Sequence, residues 1–296
     1  MVIRLLALML LPLAAACATT TEASGPAPFA SERMTVEVRG SGPDVILIPG
    51  LSSSPKVWES TVAAVPGYRY HLVRIAGFDG APAGANASGP VVAPVAEEIA
   101  RYIRESGLKR PAIVGHSLGG SWAMMVAARH PELVSKLMVV DMMPFMGAMF
   151  GPPGTTPDTV RPIAEQIRKG IGSSQGEQRR QIITQTIAGM VKTESERAGP
   201  IEQSLASDPA VSGQAMYDLI TTDLRPELKA IKVPLTVLWV VPAGAPLTQA
   251  QLEGFYKMSY ANVPQAVLKH VPDSYHFIML DQPELFRSEL RAFLSR

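Results

Sequence analysis

The stretch Pro111-Ala-Ile-Val-Gly115-His-Ser117-Leu-Gly119-Gly decides the fold of this chain. A buried strand is predicted before Gly115 and a helix from Ser117 onward, so the pattern G-x-S-x-G falls on a strand-to-helix turn. The two glycines permit a sharp turn because a Cβ at either position would collide with neighbouring backbone. The serine hydroxyl would then stand above the sheet at a helix N-terminus, where free N–H groups favour negative charge. We interpret Ser117 as a nucleophile; the alternative is a glycine-flanked serine that only caps a helix.

Four further features accompany this turn. They are Ile48-Pro-Gly-Leu51 after an early strand, Trp58 at the next helix start, Ala76–Gly80 after the following strand, and Asp273–Glu284 after the last predicted strand. Together with the serine motif they resemble the α/β-hydrolase superfamily, over residues 33–296. The resemblance implies an α/β fold with a mostly parallel sheet of about eight strands.

Composition and charge narrow the classes of function. The chain has 296 residues, 47% of them hydrophobic and 18% charged, and a net charge of +1. A near-neutral chain has no global field for a polyanion to follow, which argues against nucleic acid as a partner. The single cysteine excludes a disulfide framework and a cysteine-built zinc site. Neither H-E-x-x-H nor an early G-x-G-x-x-G is present, so no metal or cofactor is implied.

Residues 1–16 have the pattern of a secretory signal peptide: a positive charge, then an apolar stretch too short for a comfortable bilayer crossing, then small residues. Leu13-Ala-Ala-Ala-Cys17 resembles the bacterial lipobox, in which the cysteine is lipidated, although Ala14 stands where leucine is commoner. Residues 17–31, rich in Thr, Ser, Ala and Pro, predict a flexible tether. We expect export to the bacterial cell envelope and a membrane anchor at Cys17. The alternative is ordinary signal cleavage, which would leave the protein free in the periplasm.

After the tether, short aliphatic runs alternate with helical patterns, which is typical of a mostly parallel α/β sheet. Residues 32–141 and 226–296 are predicted to form one core. Residues 142–225 contain no convincing strand and are predicted to form a helical cap inserted before the last two strands. A closing helix is predicted over Asp281–Leu294, with Asp281 in a capping box. The predicted strands are Met34–Val38, Val45–Ile48, Tyr68–Ile75, Pro111–Val114, Leu137–Val140, Leu235–Val241 and Ala266–His270.

Acyl transfer needs two donors aimed at the oxygen that becomes negative. By its position just after the nucleophile, the backbone N–H of Leu118 is expected to be one donor of this oxyanion hole. The resemblance supplies the other, the N–H of Leu51, although many relatives carry His-Gly where this chain has Pro49-Gly50. The alternative is that Leu51 is an ordinary loop hydrophobe.

Five histidines compete for the role of base. Four lie in other settings: His71 and His270 in strands, His116 at the variable position of the serine motif, and His130 before Pro131. The fifth, His276, falls in the loop after the last predicted strand, where a side chain reaches back over the carboxyl edge of the sheet. Imidazole suits the role because it titrates near neutral pH.

The acid is harder to assign. Most members of the family place it after the strand predicted over Leu235–Val241, but there the first carboxylate is Glu253, which belongs to the next helix. Asp141 ends the strand before the cap, next to the strand that leads to the nucleophile, and it is our candidate acid. An aspartate at this strand end also occurs in the family without a catalytic role. Asp273 and Asp223 are the fallback candidates.

The predicted cap opens with a run of thioethers and aromatic rings from Met142 to Phe150. We predict that Met142, Phe145 and Met146 contribute to an adaptable apolar substrate pocket. Equally, these side chains could simply pack the cap onto the core.

The motifs together favour a serine hydrolase that cleaves carboxylic esters through an acyl-enzyme, with a small-molecule substrate and no cofactor. Amide, lactone or lactam cleavage would use the same residues. The rival hypothesis is a non-catalytic envelope protein that keeps the fold to bind a ligand.

Overall fold

The computed structural model describes residues 29–245 and 247–295. The predicted signal peptide 1–16, Cys17 and the tether as far as residue 28 lie outside the described residues. In the described ranges, every helix is too short or too polar to span a bilayer.

One sheet of seven strands organises the described chain. The strands are β1 (Met34–Gly40), β2 (Asp44–Ile48), β3 (Arg69–Ile75), β4 (Ala112–His116), β5 (Lys136–Val140), β6 (Leu235–Trp239) and β7 (Ala266–His270). Their order is β1-β3-β2-β4-β5-β6-β7, with β1 antiparallel to β3 and every other pair parallel. The mostly parallel α/β sheet predicted from the sequence is confirmed, but the described residues supply seven strands rather than eight.

The central strands form where the sequence has short, uninterrupted apolar runs. Both β4 and β6 are buried along their whole length, as expected for parallel strands covered on both faces. The edge strand β1 instead mixes buried and exposed positions. The carboxyl ends of β2, β4, β5 and β6 therefore meet at one protected edge of the sheet.

Ten α-helices are described. They are α1 (Glu59–Ala64), α2 (Val92–Glu105), α3 (Leu118–Arg129), α4 (Pro157–Ser173), α5 (Gly176–Met190), α6 (Ala198–Ala206), α7 (Pro209–Thr221), α8 (Gln249–Ser259), α9 (Ile278–Asp281) and α10 (Pro283–Leu294). Apolar side chains of α2, α3 and α8 pack in one core cluster. Those of α10 pack in a second cluster, where Phe286 stacks on Trp58 at 5.9 Å between ring centroids.

The predicted capping box of the closing helix is wrong. Asp281 ends α9, and α10 begins at Pro283 after Gln282, whose side chain makes no capping hydrogen bond. The Asp281 carboxylate instead accepts hydrogen bonds from the backbone N–H groups of Thr193 and Tyr275, each at 2.8 Å. It ties the loop before α9 to the segment after α5.

The helices α4 to α7 all lie between β5 and β6, within the range predicted for a cap. They pack closely: a Cβ at Gly213 of α7 would stand 2.6 Å from the Arg168 carbonyl of α4. Hydrogen bonds join this block to the core. The Gln203 side-chain oxygen accepts from the Ser54 amide at 2.9 Å, and Asp218 accepts from the Val92 amide at the start of α2 at 3.0 Å.

Candidate active site

Ser117 sits on the turn between β4 and α3 with a φ of 54° and a ψ of −125°, a strained conformation for a residue with a side chain. The positions of Gly115 and Gly119 require glycine because backbone atoms of neighbouring segments approach them closely. A Cβ at Gly115 would collide with the Gly119 carbonyl, and one at Gly119 would collide with the Ile48 carbonyl of β2. This turn keeps Ser117 partly exposed, in contrast to the buried residues on either side of it.

Sheet register brings Asp141 beside this turn. Strands β4 and β5 are parallel and pair His116 with Val140, so the next residues, Ser117 and Asp141, leave the same edge. The Ser117 amide donates to the Val140 carbonyl at 2.9 Å. Asp141 itself has a φ of 50°, and its side chain is 10% exposed.

His276 reaches the Asp141 carboxyl from the loop between β7 and α9. Its Nδ1 lies 2.6 Å from Asp141 Oδ2, and its side chain is 20% exposed. Because a carboxylate oxygen accepts, Nδ1 donates, and the Nε2 lone pair is left available. Of the carboxylates in the described ranges, Asp141 is the one hydrogen-bonded to His276.

The other candidate acids are paired elsewhere. Asp273 is 80% exposed and lies 3.1 Å from Lys192 Nζ. Asp223 lies 2.6 Å from Arg225 Nη2. Glu253 lies on α8, where it pairs with Lys257 at 2.6 Å. None of the three has a hydrogen bond to His276 in the described part of the chain.

Ser117, Asp141 and His276 line one cavity, of about 950 Å³, between the core and the helices α4 to α7. Within the described residues, no hydrogen bond joins the Ser117 hydroxyl to His276. In unliganded catalytic sites such bonds are commonly long and tighten when substrate binds. The structure thus brings the serine to the same cavity as a paired histidine and aspartate.

The two predicted oxyanion donors, Leu51 and Leu118, lie differently with respect to the cavity. Leu51 lines the cavity, and a Cβ at the neighbouring Gly50 would stand only 2.9 Å from the Cβ of Ser117. Leu118 is the first residue of α3. Neither the Leu51 nor the Leu118 N–H has a backbone acceptor within the described ranges. Leu118 is fully buried and is not among the residues that line the cavity, so of the two predicted donors only Leu51 belongs to the cavity wall.

The residues predicted to form the substrate pocket divide into two sets. Met142 and Met146 line the cavity. Phe145 does not: its buried ring packs in a small apolar cluster with Val160, Ala164 and Ile220, and the Arg225 guanidinium lies 4.7 Å from its centroid. The role predicted for Phe145 is corrected to packing of the cap.

A large part of the cavity wall comes from α4, α5 and α7, and the sequence did not indicate these helices as part of the site. The apolar members of the wall on these helices are Ile167, Ile171, Ile182, Ile183, Ile187, Met190, Met216 and Leu219. The helical spacing of the apolar residues from Ile182 to Met190 is the sequence signal that would have indicated one of these faces.

His116 is a further residue of the site whose role the sequence did not predict, because it occupies the variable position of the serine motif. It is fully buried, its Nε2 lies 3.0 Å from the His276 carbonyl oxygen, and the two imidazole centroids are 4.7 Å apart. Burial, reinforced by the charge that His276 can carry, lowers the pKa of His116 well below its ordinary value. His116 is therefore a neutral donor that holds the backbone of His276.

A further missed residue, Tyr256, donates its hydroxyl proton to Asp141 Oδ1 at 3.0 Å. The Val240 amide donates to the same oxygen at 3.2 Å. In the described ranges, no group of three or more His, Cys, Asp or Glu side chains is arranged to hold a metal ion. The site is thus a serine that shares one cavity with a hydrogen-bonded histidine–aspartate pair.

Comparison with known proteins assigns the chain to a family. The model of the Alpha/beta hydrolase family matches residues 45–289. The chain therefore belongs to the α/β hydrolase family and is a hydrolase-type enzyme.

Similar proteins include two curated esterases. The pimeloyl-[acyl-carrier protein] methyl ester esterase of Pectobacterium carotovorum subsp. carotovorum is 27% identical over 266 residues, covering 87% of this chain and 96% of that protein. The protein of the same name from Vibrio atlanticus is 26% identical, covering 90% and 100%. A solved hydrolase from Pseudomonas aeruginosa PA01 has a TM-score of 0.72 at 16% identity, covering 89% and 94%, and shares the fold.

Proposed function

We propose that the chain hydrolyses carboxylic esters, with Ser117 as nucleophile, His276 as general base and Asp141 as the acid that orients it. The observation that carries this proposal is the 2.6 Å hydrogen bond between His276 Nδ1 and Asp141 Oδ2. It fixes the tautomer in which Nε2 is the proton acceptor, in the cavity that Ser117 also lines. The curated relatives, named as ester hydrolases, support the same chemistry.

The proposed reaction has two half-reactions. Ser117 Oγ attacks the ester carbonyl carbon and transfers its proton to His276 Nε2, which Asp141 stabilises as imidazolium. The C–O bond to the alcohol then breaks, and His276 returns the proton to the leaving oxygen. A water attacks the acyl-enzyme with His276 again as base, which releases the carboxylic acid and restores Ser117.

The tetrahedral intermediates of both half-reactions carry a negative oxygen. The amides of Leu51 and Leu118 are the proposed donors to it, since neither has a backbone acceptor in the described ranges. The N-terminus of α3 adds a favourable dipole at the same point. One such donor contributes about 10²–10³-fold to kcat in serine hydrolases.

The cavity favours an ester with an extended apolar acyl group. Its volume of about 950 Å³ is at the upper end for small-molecule sites. Its walls include six methionines, five isoleucines and three leucines, and the methionines can adapt to different chain shapes. The relatives' name, a methyl ester esterase acting on an acyl group, is consistent with a large acyl part and a small alcohol.

A fluorophosphonate probe and a panel of p-nitrophenyl esters test the proposal. The wild-type protein is expected to be labelled and to hydrolyse the esters, whereas Ser117→Ala should lose labelling and at least about 10³-fold in kcat. Ser121→Ala, which removes a buried hydroxyl one turn further along α3, is the matched control and should keep both. Labelling that persists in Ser117→Ala, or a wild-type protein that is neither labelled nor active, would instead favour a ligand-binding protein.

We further propose that the protein is exported and held at the membrane of the cell envelope by a lipid on Cys17. The support is the signal-peptide pattern of residues 1–16 and the lipobox-like run that ends in the only cysteine of the chain.

A further inference from the structure

Tyr256 lies on α8, after the strand β6, and is held among aromatic rings. Its side chain is buried. Its ring stacks on Trp239 at 5.1 Å between centroids and lies parallel to the Tyr260 ring at 6.5 Å. Because two aromatic rings pack against it in a buried setting, the phenol has little freedom to turn away from the cavity edge that it lines.

This phenol makes one of the three hydrogen bonds to the Asp141 carboxyl. The Tyr256 hydroxyl and the Val240 amide donate to Oδ1 at 3.0 and 3.2 Å, and His276 Nδ1 donates to Oδ2 at 2.6 Å. The two donors on Oδ1 therefore fix the rotation of the carboxyl group and leave Oδ2 directed at the imidazole.

We infer that Tyr256 is a positioning residue for the reaction at Ser117: its hydroxyl anchors Oδ1 of Asp141 so that Oδ2 faces His276 Nδ1. The inference rests on the proposed function. The hydrogen bond from Tyr256 explains how Asp141, which follows β5, can orient His276, which lies in the loop after β7 on the other side of β6. Without the phenol, the Val240 amide at 3.2 Å would be the one donor left on Oδ1.

The phenol remains a donor over the whole working range of pH. Burial, followed by the negative charge of Asp141, raises the pKa of Tyr256 well above its ordinary value, so the hydroxyl keeps its proton. The other titratable groups that face the Asp141 carboxyl in the described structure are His276, which is hydrogen-bonded to it, and Tyr260, whose hydroxyl donates instead to the Met142 carbonyl at 2.6 Å.

Tyr256→Phe tests the inference, with Tyr260→Phe as the matched control. Both changes remove one buried hydroxyl from the same aromatic stack, but only the first removes a donor to Asp141. In Tyr256→Phe we expect kcat for a p-nitrophenyl ester to fall about tenfold to a hundredfold, with KM within about twofold of wild type. In Tyr260→Phe we expect kcat within about threefold of wild type. Equal losses in the two variants, or no loss in Tyr256→Phe, would overturn the inference.

A second measurement does not depend on turnover. The proton between His276 Nδ1 and Asp141 gives a low-field ¹H NMR resonance, identified by its loss in His276→Gln. We expect this resonance to shift or broaden in Tyr256→Phe and to stay unchanged in Tyr260→Phe. If it responds in this way while wild type fails to hydrolyse esters, the positioning role holds and the proposed function fails. If it is identical in Tyr256→Phe and wild type, the positioning role fails.

Discussion

At the scale of single residues, the Asp141 carboxyl has different partners on its two oxygens. Oδ2 faces His276 Nδ1, whereas Oδ1 accepts from the Val240 amide and the Tyr256 hydroxyl. An asparagine at this position has only one acceptor oxygen, so it can satisfy the histidine or the other two donors but not both. The site therefore needs a carboxylate at position 141, not merely a polar side chain of the same shape.

Asp141→Asn is accordingly expected to lower kcat by about a thousandfold or more, because the histidine loses its orienting acceptor and its favoured tautomer. Asp273→Asn is the matched control: this exposed carboxylate pairs with Lys192, and its loss should change kcat by less than about threefold. Steady-state kinetics of both variants on one ester make the comparison. Equal, small losses would contradict the assignment of Asp141 as the acid.

Sequence patterns led directly to some of these residues and not to others. Ser117 has a motif, and His276 and Asp141 have positions relative to predicted strands. Tyr256 has neither, since it lies 115 residues from Asp141 along the chain and meets it only through the packing of α8. Phe145 is the opposite case. The sequence indicated an apolar environment for its ring, but not whether the ring would face the cavity or pack against neighbouring helices.

At the scale of elements, parallel neighbouring strands explain why the site could be anticipated. The register of β4 against β5 places the residues after His116 and Val140 side by side. The positions of the helices α4 to α7 are not fixed by strand register. The helix α5 begins with a run of polar residues, and its apolar residues both pack against a core cluster and line the cavity, so the sequence did not indicate its role in the site.

Ile183 of α5 offers a test of the acyl-binding role. It is partly buried, lines the cavity and packs against the core cluster that contains Ile187, so Ile183→Trp should narrow the space available to an acyl group. We expect kcat/KM for p-nitrophenyl octanoate to fall at least about tenfold and that for the acetate to stay within about threefold.

Gln181→Trp is the matched control on the same helix. This exposed residue does not line the cavity, and both esters should react as they do with wild type. A parallel loss on octanoate and acetate in Ile183→Trp would indicate a general disturbance of the cap. An unchanged octanoate rate would show that the acyl group does not reach α5.

At the scale of the whole molecule, hydrogen bonds join the helices α4 to α7 to the sheet and its loops around the cavity. Gln203 and Asp218 accept hydrogen bonds from the Ser54 and Val92 amides, which join these helices to the loop after β2 and to the start of α2. The Ser52 and Ser212 hydroxyls lie 2.8 Å apart, which joins that loop, with its Leu51 amide, to α7. The cap thus contributes to the placement of the proposed oxyanion donors as well as to the cavity wall.

The proposed lipid anchor at Cys17 leads to a separate prediction. Expressed in a bacterium, the wild-type protein should sediment with membranes and incorporate labelled palmitate, because several acyl chains on Cys17 would hold it at the bilayer surface. Cys17→Ser removes the only thiol of the chain and should abolish both the label and the membrane association. Ser24→Ala, in the same predicted tether, should behave as wild type. A Cys17→Ser protein that remains with the membranes would mean that something other than a lipid on this cysteine holds it there.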